Sequence, residues 1–285
     1  FEIAPTDAHI PMRNFRWFHS LLCLPLLFAQ SSAQYFPETG RAALYQRSLD
    51  SRSRLHVLSI SLQPGYEDLA ALAYYRMARG ARIVSAYVTN GEAGESDIRG
   101  EYPHQLAAVR REEAAKAVAL IGGEDYFLTM SDIAAASDTA FVRERWGRDT
   151  LQTRLMRLIS VFRPDVILLS RDWARGGNSP QLDVLQEDLL RAVRRVARPV
   201  GTTRSGSDKP LSPWSVARVL VDGKGDAGAR AEIGRTHLHW RKTYRVIGAE
   251  AARAYVSLAV QREQWYRSAG WTDTSRKAIA YDQVY

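Results

Sequence analysis

With 285 residues, of which 46% are hydrophobic and 25% charged, the chain can bury one sizeable core and is too apolar for wholesale disorder. Its formal charge of +8 comes without zinc-finger spacing, an aromatic RNA-binding pattern or a basic tail, which excludes these nucleic-acid modules. The charge is typical of a solvated arginine-rich surface, or of a surface that faces an anionic envelope. The only cysteine, Cys23, lies near the N-terminus, so the remaining chain can form neither a disulfide framework nor a cysteine-ligated metal site.

The N-terminal residues have the pattern of a targeting segment. Met12–Arg16 is a short basic region behind a start methionine, and Ser20–Ala29 is an apolar run too short to span a bilayer. Ser31–Ala33 supplies the small residues of a cleavage site. The pattern predicts a signal peptide over residues 12–33, with residues 1–11 upstream of the true start. A periplasmic or secreted protein is therefore expected, with no transmembrane segment after cleavage.

Beyond this segment, apolar strands alternate with helices of ten or more residues. The predicted strands are 54–61, 81–89, 126–129, 165–170 and 213–221. The predicted helices are 67–79, one that ends at Leu120, 151–162 and 180–196. This alternation predicts an α/β fold, a Rossmann-like three-layer sandwich with a mostly parallel central sheet. Ligands of such sheets bind beyond the carboxyl ends of the strands.

The loops behind the predicted strands carry an ordered set of motifs. A Pro-Xaa-Xaa-acid turn follows the first strand, Thr89–Gly94 (Thr-Asn-Gly-Glu-Ala-Gly) follows the second, and Leu128–Asp132 follows the third. Between the last two lies Leu106–Glu113, a helical run with paired arginines and paired glutamates. In this order the set resembles the PIG-L/LmbE family, zinc-dependent deacetylases of N-acetylglucosaminyl compounds with a Rossmann-like fold.

The resemblance sets the expected domain organisation. It implies a PIG-L/LmbE-like domain over residues 54–258, preceded by a lead-in at 34–53 and followed by a tail at 259–285. The sequence ends in Tyr281–Tyr285 without an obvious stop signal, and longer family members carry further domains. Further domains downstream are therefore expected, which leaves open the hypothesis that the domain is an architectural module of a longer protein.

The resemblance also implies a catalytic zinc site, and this chain lacks the residues that would form it. In the stretch that matches the family's first motif, Ala-His-Pro-Asp-Asp-Glu, Gln63 and Tyr66 stand at two metal-ligand positions and Gly65 stands at the position of the general base. The later family motif is His-Pro-Asp-His. There Ser179 replaces a catalytic histidine and Leu182 replaces the third zinc ligand.

The chemistry of these replacements argues against hydrolysis. A hydrolytic zinc site needs about three histidine or carboxylate ligands and lowers the pKa of its water from about 15.7 to near 7. Gln63 offers only an amide oxygen and Leu182 no donor at all, so no cofactor is expected and the domain is predicted to be catalytically inactive. The alternative is an active deacetylase with a rearranged zinc site, in which Glu67 and Asp68 take the place of the paired aspartates.

Two residues at the family's sugar-binding positions persist. Arg110 matches an arginine that contacts the sugar, and Asp132 matches an aspartate that accepts a sugar hydroxyl. A guanidinium fork and a carboxylate at strand ends can together bind a polyol. An N-acetyl-sugar or another glycan is therefore the expected ligand. The competing interpretation is structural, with Arg110 paired to Glu113 or Glu92 so that it braces the loop.

Two further patterns have structural interpretations. His237 and His239 would share one face of a strand, but the surrounding pattern predicts a helix, on which positions i and i+2 diverge. They are expected to be exposed or hydrogen-bonded rather than metal ligands. The predicted helix 180–196 and its end carry a basic stripe, expected to be solvated, with docking on an anionic polymer or partner as the alternative. The stripe consists of Arg191, Arg194, Arg195 and Arg198.

Overall fold

The computed structural model describes residues 39–94, 96–97, 100–170, 179–198, 211–222, 230–259 and 278–285. All of these residues belong to one unit, Ser32–Tyr285. The predicted signal peptide lies outside the described residues, as does most of the predicted tail. Within the described residues, no helix combines the length and the apolar character needed to cross a membrane.

The described residues contain seven α-helices and seven β-strands. The helices are α1 (Gly40–Arg52), α2 (Leu69–Arg79), α3 (Pro103–Ala119), α4 (Thr139–Trp146), α5 (Thr150–Phe162), α6 (Pro180–Val196) and α7 (Tyr244–Ala252). The strands are β1 (His56–Ser61), β2 (Arg82–Tyr87), β3 (Glu124–Phe127), β4 (Val166–Leu169), β5 (Arg218–Asp222), β6 (Arg230–Ala231) and β7 (Ile279–Gln283). A short 3-10 helix, Val256–Leu258, follows α7.

The strands form one sheet in the order β3-β2-β1-β4-β5-β7-β6. Strands β1 to β5 are mutually parallel, while β7 runs antiparallel to both of its neighbours. Parallel strands joined by crossover helices place those helices on the two faces of a sheet. The predicted α/β class with a mostly parallel central sheet is confirmed.

Alternate residues of the strands supply the two cores. On β1 and β2, Leu58 and Val84 belong to the core that includes residues of α4, α5 and α6. Their neighbours Val57 and Ile83 belong to the core that includes residues of α2, α3 and α7. Both faces of the sheet are thus buried, which is why consecutive residues of these strands are apolar instead of alternating with charged ones.

Two segments outside the predicted domain boundaries contribute to this architecture. In the predicted lead-in, α1 packs on α2, and Asp50 forms an ion pair with the buried Arg76. In the predicted tail, β7 pairs with β5 and so enters the central sheet. Its short length and polar Asp282 and Gln283 hid this strand from the pattern. The sheet therefore extends beyond residue 258, where the predicted domain ended.

A close backbone contact joins α7 to α2. A Cβ atom built on Gly248 would lie 2.4 Å from the backbone nitrogen of Ala70 and 2.5 Å from its Cα. We expect Gly248→Ala to lower the free energy of unfolding by about 2 kcal/mol, because a clash of about 3 kcal/mol exceeds a helix-propensity gain of about 1 kcal/mol. Urea denaturation measures the change. The matched control is Gly100→Ala, where the added Cβ meets nothing within 4 Å; equal effects at the two positions would contradict the prediction.

Candidate functional site

Three loops meet at the carboxyl ends of β1, β2 and β3. Backbone pairing continues past the strands: Thr89 N donates to Leu62 O at 2.8 Å, and Met130 N donates to Val88 O at 2.8 Å. The loops behind these strands carry the residues predicted from the motifs. The structure therefore brings them to the one edge at which a parallel sheet of this kind binds ligands.

Arg110 lies beneath this edge and braces the second loop. Its side chain is only 1% exposed, and Nη1 donates a hydrogen bond to the carbonyl of Gly91. Gly91 has a φ of +74°, and a Cβ there would lie 2.6 Å from Arg110 Nη1 and 3.2 Å from Gln63 Oε1. The loop therefore needs glycine at this position, both for its backbone conformation and for the space that the two side chains occupy.

The electrostatic setting of Arg110 is that of a buried cation near carboxylates. Burial lowers the pKa of Arg110, and the negative charges of Asp132 and Glu113 oppose that shift. The carboxylate of Glu113 accepts hydrogen bonds from Ser257 N at 2.8 Å and Ser257 Oγ at 2.6 Å. The structure thus favours the bracing role for Arg110, in which the guanidinium donates to the loop carbonyl of Gly91.

Asp132 and Glu92 fasten the second and third loops to each other. Asp132 Oδ2 accepts a hydrogen bond from Ala93 N at 3.0 Å, and Glu92 Oε1 accepts one from Asp132 N at 3.0 Å. Glu92 Oε2 also accepts one from Asn90 N at 3.1 Å. Burial raises the pKa of Asp132, and the charge of Glu92 adds to this shift. The two carboxylates are both half-buried and face the same edge.

Together with two amides, these carboxylates form a half-buried polar rim. We use the term polar rim for Gln63, Asn90, Glu92 and Asp132. A carboxylate oxygen that accepts one backbone hydrogen bond retains capacity for another, and an amide both donates and accepts. The rim therefore offers the mixture of donors and acceptors that suits hydroxyl and acetamido groups.

Beside the rim, the chain buries apolar and aromatic side chains. Tyr66 is 7% exposed and Leu182 6% exposed, and both belong to the core on the α5–α6 face of the sheet. Met130, Ile133 and Trp146 belong to the same cluster. Two of the three positions that the family resemblance assigned to metal ligands are therefore part of the hydrophobic core.

The family model described as PIG-L, GlcNAc-PI de-N-acetylase, matches residues 69–181. The chain contains a PIG-L-type domain. The family predicted from the ordered motifs is thus confirmed. The match begins just behind Glu67 and ends at Gln181, so it covers the scaffold that joins the two family motifs whose ligand residues are replaced here.

Solved structures share the fold at low sequence identity. N,N′-diacetylchitobiose deacetylase of Pyrococcus horikoshii superposes with a TM-score of 0.58 at 15% identity, over 87% of this chain and 93% of its own. The 4-carboxy-2-hydroxymuconate hydratase of Pseudomonas putida gives 0.51 at 18%, over 81% and 96%. A conserved protein of Thermus thermophilus gives 0.53 at 15%, over 81% and 95%. Because a deacetylase and a hydratase share it, the fold alone does not identify a reaction. No curated protein matches the sequence.

The zinc ion that the PIG-L family implies does not fit the side chains present. A zinc site takes histidine nitrogens, thiolates or carboxylates at about 2.0–2.3 Å. The three positions hold a neutral amide in Gln63, a buried phenol in Tyr66 and an alkyl group in Leu182. Within the described part of the chain, no group of three or more histidine, cysteine, aspartate or glutamate residues could hold a metal ion.

Glu67, proposed from sequence as a replacement carboxylate, points into the protein. It is 6% exposed, and its two oxygens accept hydrogen bonds from Gly65 N at 2.9 Å and from the Tyr255 hydroxyl. The Tyr255 hydroxyl lies 3.1 Å from that of Tyr87. Burial raises the pKa of Glu67, and it raises the pKa of both tyrosines well above the ordinary value.

The other replaced positions have local structural roles. Asp68 is the N-cap of α2: its Oδ1 accepts a hydrogen bond from Ala71 N at 2.9 Å. Ser179 is the N-cap of α6, with Oγ accepting from Leu182 N at 3.2 Å. Gly65 has a φ of +88°, and a Cβ there would lie 2.6 Å from Leu258 Cδ1. An aspartate could not return to position 65 without strain, so the loop has adapted to the glycine.

The two predicted helical histidines lie instead in a turn that precedes α7. The helix prediction was wrong because an antiparallel bridge between Thr236 and Thr243 closes a hairpin around the histidines, in which Arg241 N donates to His237 O at 3.0 Å. His237 is 1% exposed; its Nδ1 accepts a hydrogen bond from Trp240 N at 3.2 Å, and its pKa is lowered by burial. Its ring lies 6.2 Å from that of His239.

Sequence reasoning missed the contacts made by the segment behind α7. The hydroxyl of Tyr255 donates to Glu67, which lies 188 residues earlier in the chain. Ser257 N and Oγ both bind Glu113. The available signal was weak: a tyrosine and a serine beside apolar residues need hydrogen-bond partners once they are buried.

Proposed function

We propose that this protein is an exported, non-catalytic PIG-L-type domain that binds an N-acetyl-sugar or a related glycan at its polar rim. The observation that carries the proposal is the burial of Tyr66 and Leu182 in the core at two family metal positions. A buried phenol and a buried alkyl group give a zinc ion no site at which to activate water.

Two further observations support the absence of hydrolysis. Gly65 supplies no side chain to deprotonate water, which removes a contribution of roughly 10²–10⁴ in rate. The nearest candidate substitute is Glu67, whose two oxygens already accept hydrogen bonds from Gly65 N and the Tyr255 hydroxyl. An active, rearranged deacetylase site at Glu67 and Asp68 would need both side chains to leave these contacts, because Asp68 caps α2.

The polar rim supports the binding part of the proposal. Its four side chains are half-buried at the carboxyl edge, and hydrogen bonds of Asp132 and Glu92 join the second and third loops, which carry three of them. Rigid positioning lowers the entropic cost of binding, because few side chains must be ordered by the ligand. The N-acetyl-sugar is chosen because the matched family model is that of a de-N-acetylase.

Export is the remaining part of the proposal. Its support is the sequence pattern of residues 12–33, a basic region followed by a short apolar run and a small-residue cleavage site. A periplasmic or secreted location would place the domain beside envelope glycans.

We expect the purified domain to bind N,N′-diacetylchitobiose without releasing acetate, and to contain no stoichiometric zinc by elemental analysis. Titration calorimetry should show binding that Asp132→Asn weakens by roughly tenfold, the loss of one charged hydrogen-bond acceptor. The control is Asp149→Asn, an exposed aspartate that makes no side-chain capping bond.

Acetate release is measured with and without added zinc. Chelator-sensitive release that is lost in a Glu67→Gln, Asp68→Asn double variant would establish the rearranged active site and overturn the proposal. Absence of binding to any N-acetylated oligosaccharide would overturn its glycan part and leave the domain as an architectural module.

A further inference from the structure

Three segments converge at the amino edge of the sheet, the edge opposite to the polar rim. They are the end of α5 (155–163), the end of α6 with the residues behind it (189–198), and the approach to β5 (211–218). Ser160 Oγ donates to Ser212 O at 2.6 Å, and Trp214 N donates to Val196 O at 3.0 Å. The three segments therefore form one continuous surface.

This surface is basic, and Asp165, whose backbone carbonyl accepts from Ala217 N and Arg218 N, borders it. The three segments contain seven arginines and no aspartate or glutamate. One of the seven, Arg191, pairs with Glu187 on its own helix. Arg218 shares the sheet face of Leu220, towards α2, where its charge acts on Tyr75. We use the term arginine corner for the other five, all exposed, none of which forms an ion pair among the described residues: Arg157, Arg163, Arg194, Arg195 and Arg198.

Apolar and amphipathic side chains lie among these arginines. Val161 is 82% exposed on α5, between Arg157 and Arg163. Trp214 is half-buried, donates its indole N–H to Pro164 O at 2.7 Å, and has the Arg163 guanidinium 5.9 Å from its ring centre. Arginine, tryptophan and an exposed aliphatic group are the combination found where proteins contact the headgroup region of a bilayer.

The helix dipoles explain only part of this charge. Cations are favoured within the last turn of a helix, and Arg194 and Arg195 lie in the last turn of α6. Arg157 lies earlier on α5, so its position does not gain from a helix end. Arg163 has a φ of +54°, a left-handed conformation that favours glycine, yet an arginine occupies it.

From these observations we infer that the arginine corner is a docking surface for an anionic lipid bilayer. The arginine heads would pair with lipid phosphates, while their stems, Val161 and the Trp214 ring lie against the headgroup boundary. A soluble polyanion would use the arginines alone and would leave Val161 without a role. The polar rim, at the other edge, would then face away from the membrane.

The test is sedimentation of the full chain with phosphatidylcholine vesicles, with and without phosphatidylglycerol. We expect binding only to the anionic vesicles, and weakening as salt is raised. The triple variant Arg157→Gln, Arg194→Gln, Arg195→Gln should lower the partition coefficient about 100-fold. The matched control makes the same charge change at exposed arginines outside the corner: Arg41→Gln, Arg47→Gln, Arg253→Gln. It should bind within a few-fold of the unmodified protein.

A second variant separates the bilayer from a polyanion. Val161→Ser leaves the charge unchanged, and we expect it to lower vesicle binding about threefold without changing the salt-dependent retention of the protein on inorganic polyphosphate. Equal losses in the two triple variants, or tight polyphosphate binding with no vesicle binding, would overturn the proposal. Neither result bears on glycan binding at the polar rim.

Discussion

Replacing Arg110 with methionine is expected to lower the free energy of unfolding by about 4 kcal/mol, a cost typical of removing one partner from a buried charged group. Methionine fills much of the same space but cannot donate to the Gly91 carbonyl. It also removes a positive charge that interacts with Asp132, whose carboxylate is already disfavoured by burial. The second loop would lose the contact that fixes it above α3.

The neighbouring residue supplies the matched control. Arg111 is exposed and lies over the Phe127 ring, with its guanidinium carbon 4.4 Å from the ring centre. Arg111→Met should cost less than about 1 kcal/mol, the range of an exposed cation–π contact. Urea denaturation of the two variants measures both losses. A much larger loss for Arg110→Met than for Arg111→Met would show that Arg110 holds the loop in place, whereas equal losses would mean that it acts only as a surface charge.

The same pair of variants tests what Arg110 does for the ligand. If the bracing role is right, Arg110→Met weakens sugar binding only together with a loss of stability. A variant with unchanged stability and abolished N,N′-diacetylchitobiose binding would instead make Arg110 a ligand-contacting group. That outcome would contradict the structural role assigned here.

The fold was accessible from sequence because both faces of the sheet are covered. Strand β4 is apolar over its whole length, and β1 carries Val57, Leu58 and Ile60 in its buried stretch. The helices of the sheet stop at clear signals. Gly80, for example, adopts the left-handed conformation that ends α2. The helix predicted over 180–196 is α6, with the same bounds. Because the central strands are buried on both faces of the sheet, their positions could be recognised from apolar residues in the sequence.

The strands β6 and β7, at one side of the sheet, could not be predicted from the sequence in the same way. Strand β7 includes Asp282 and Gln283, and β6 is only two residues long, so neither shows an apolar run. The helix α4 has its start fixed by Asp138, whose Oδ1 accepts from Phe141 N at 2.8 Å, but only Val142 and Trp146 on it are buried. Short elements with few buried residues carry little periodicity.

At the candidate site, sequence identified which residues differ from the family and could not show where they point. From the sequence we could conclude only that the side chains of Gln63, Tyr66 and Leu182 are poor donors to zinc. That Tyr66 and Leu182 enter the core, and that Glu67 turns away from the edge, depends on long-range packing. Glu67 meets Tyr255 because α7, which precedes Tyr255, packs on α2 and α3.

This buried carboxyl group gives the second large prediction. Glu67→Ala removes the acceptor of Gly65 N and of the Tyr255 hydroxyl, and so leaves two buried donors without their partner. Each orphaned donor costs about 1–3 kcal/mol, so the free energy of unfolding should fall by about 4 kcal/mol. Urea denaturation of the variant and of the unmodified protein in the same buffer measures this loss.

Glu67→Gln isolates the charge from the hydrogen bonds, since it keeps the volume and one acceptor oxygen. Burial raises the pKa of Glu67 above its ordinary 4.5, so the folded state binds the proton more tightly than the unfolded state. The resulting stabilisation is complete below pH 4.5 and is lost as the pH rises through the raised folded pKa. The glutamine variant lacks this dependence, so its stability relative to the unmodified protein should rise over that window and level off above it.

An exposed glutamate provides a control of opposite sign. The hydrogen bond from Lys116 lowers the pKa of Glu112, so its contribution is present above the ordinary pKa and is lost as the pH falls. Glu112→Gln should therefore change stability in the other direction across the titration. Tyr255→Phe should raise the folded-state pKa of Glu67 further and so extend the pH range over which stability changes. The reason is that the hydrogen bond from the Tyr255 hydroxyl lowers this pKa more than any other hydrogen bond does. A Glu67→Gln difference that is flat with pH would mean that the carboxylate is ionised at no cost in the fold, and that the edge is more polar than its packing indicates.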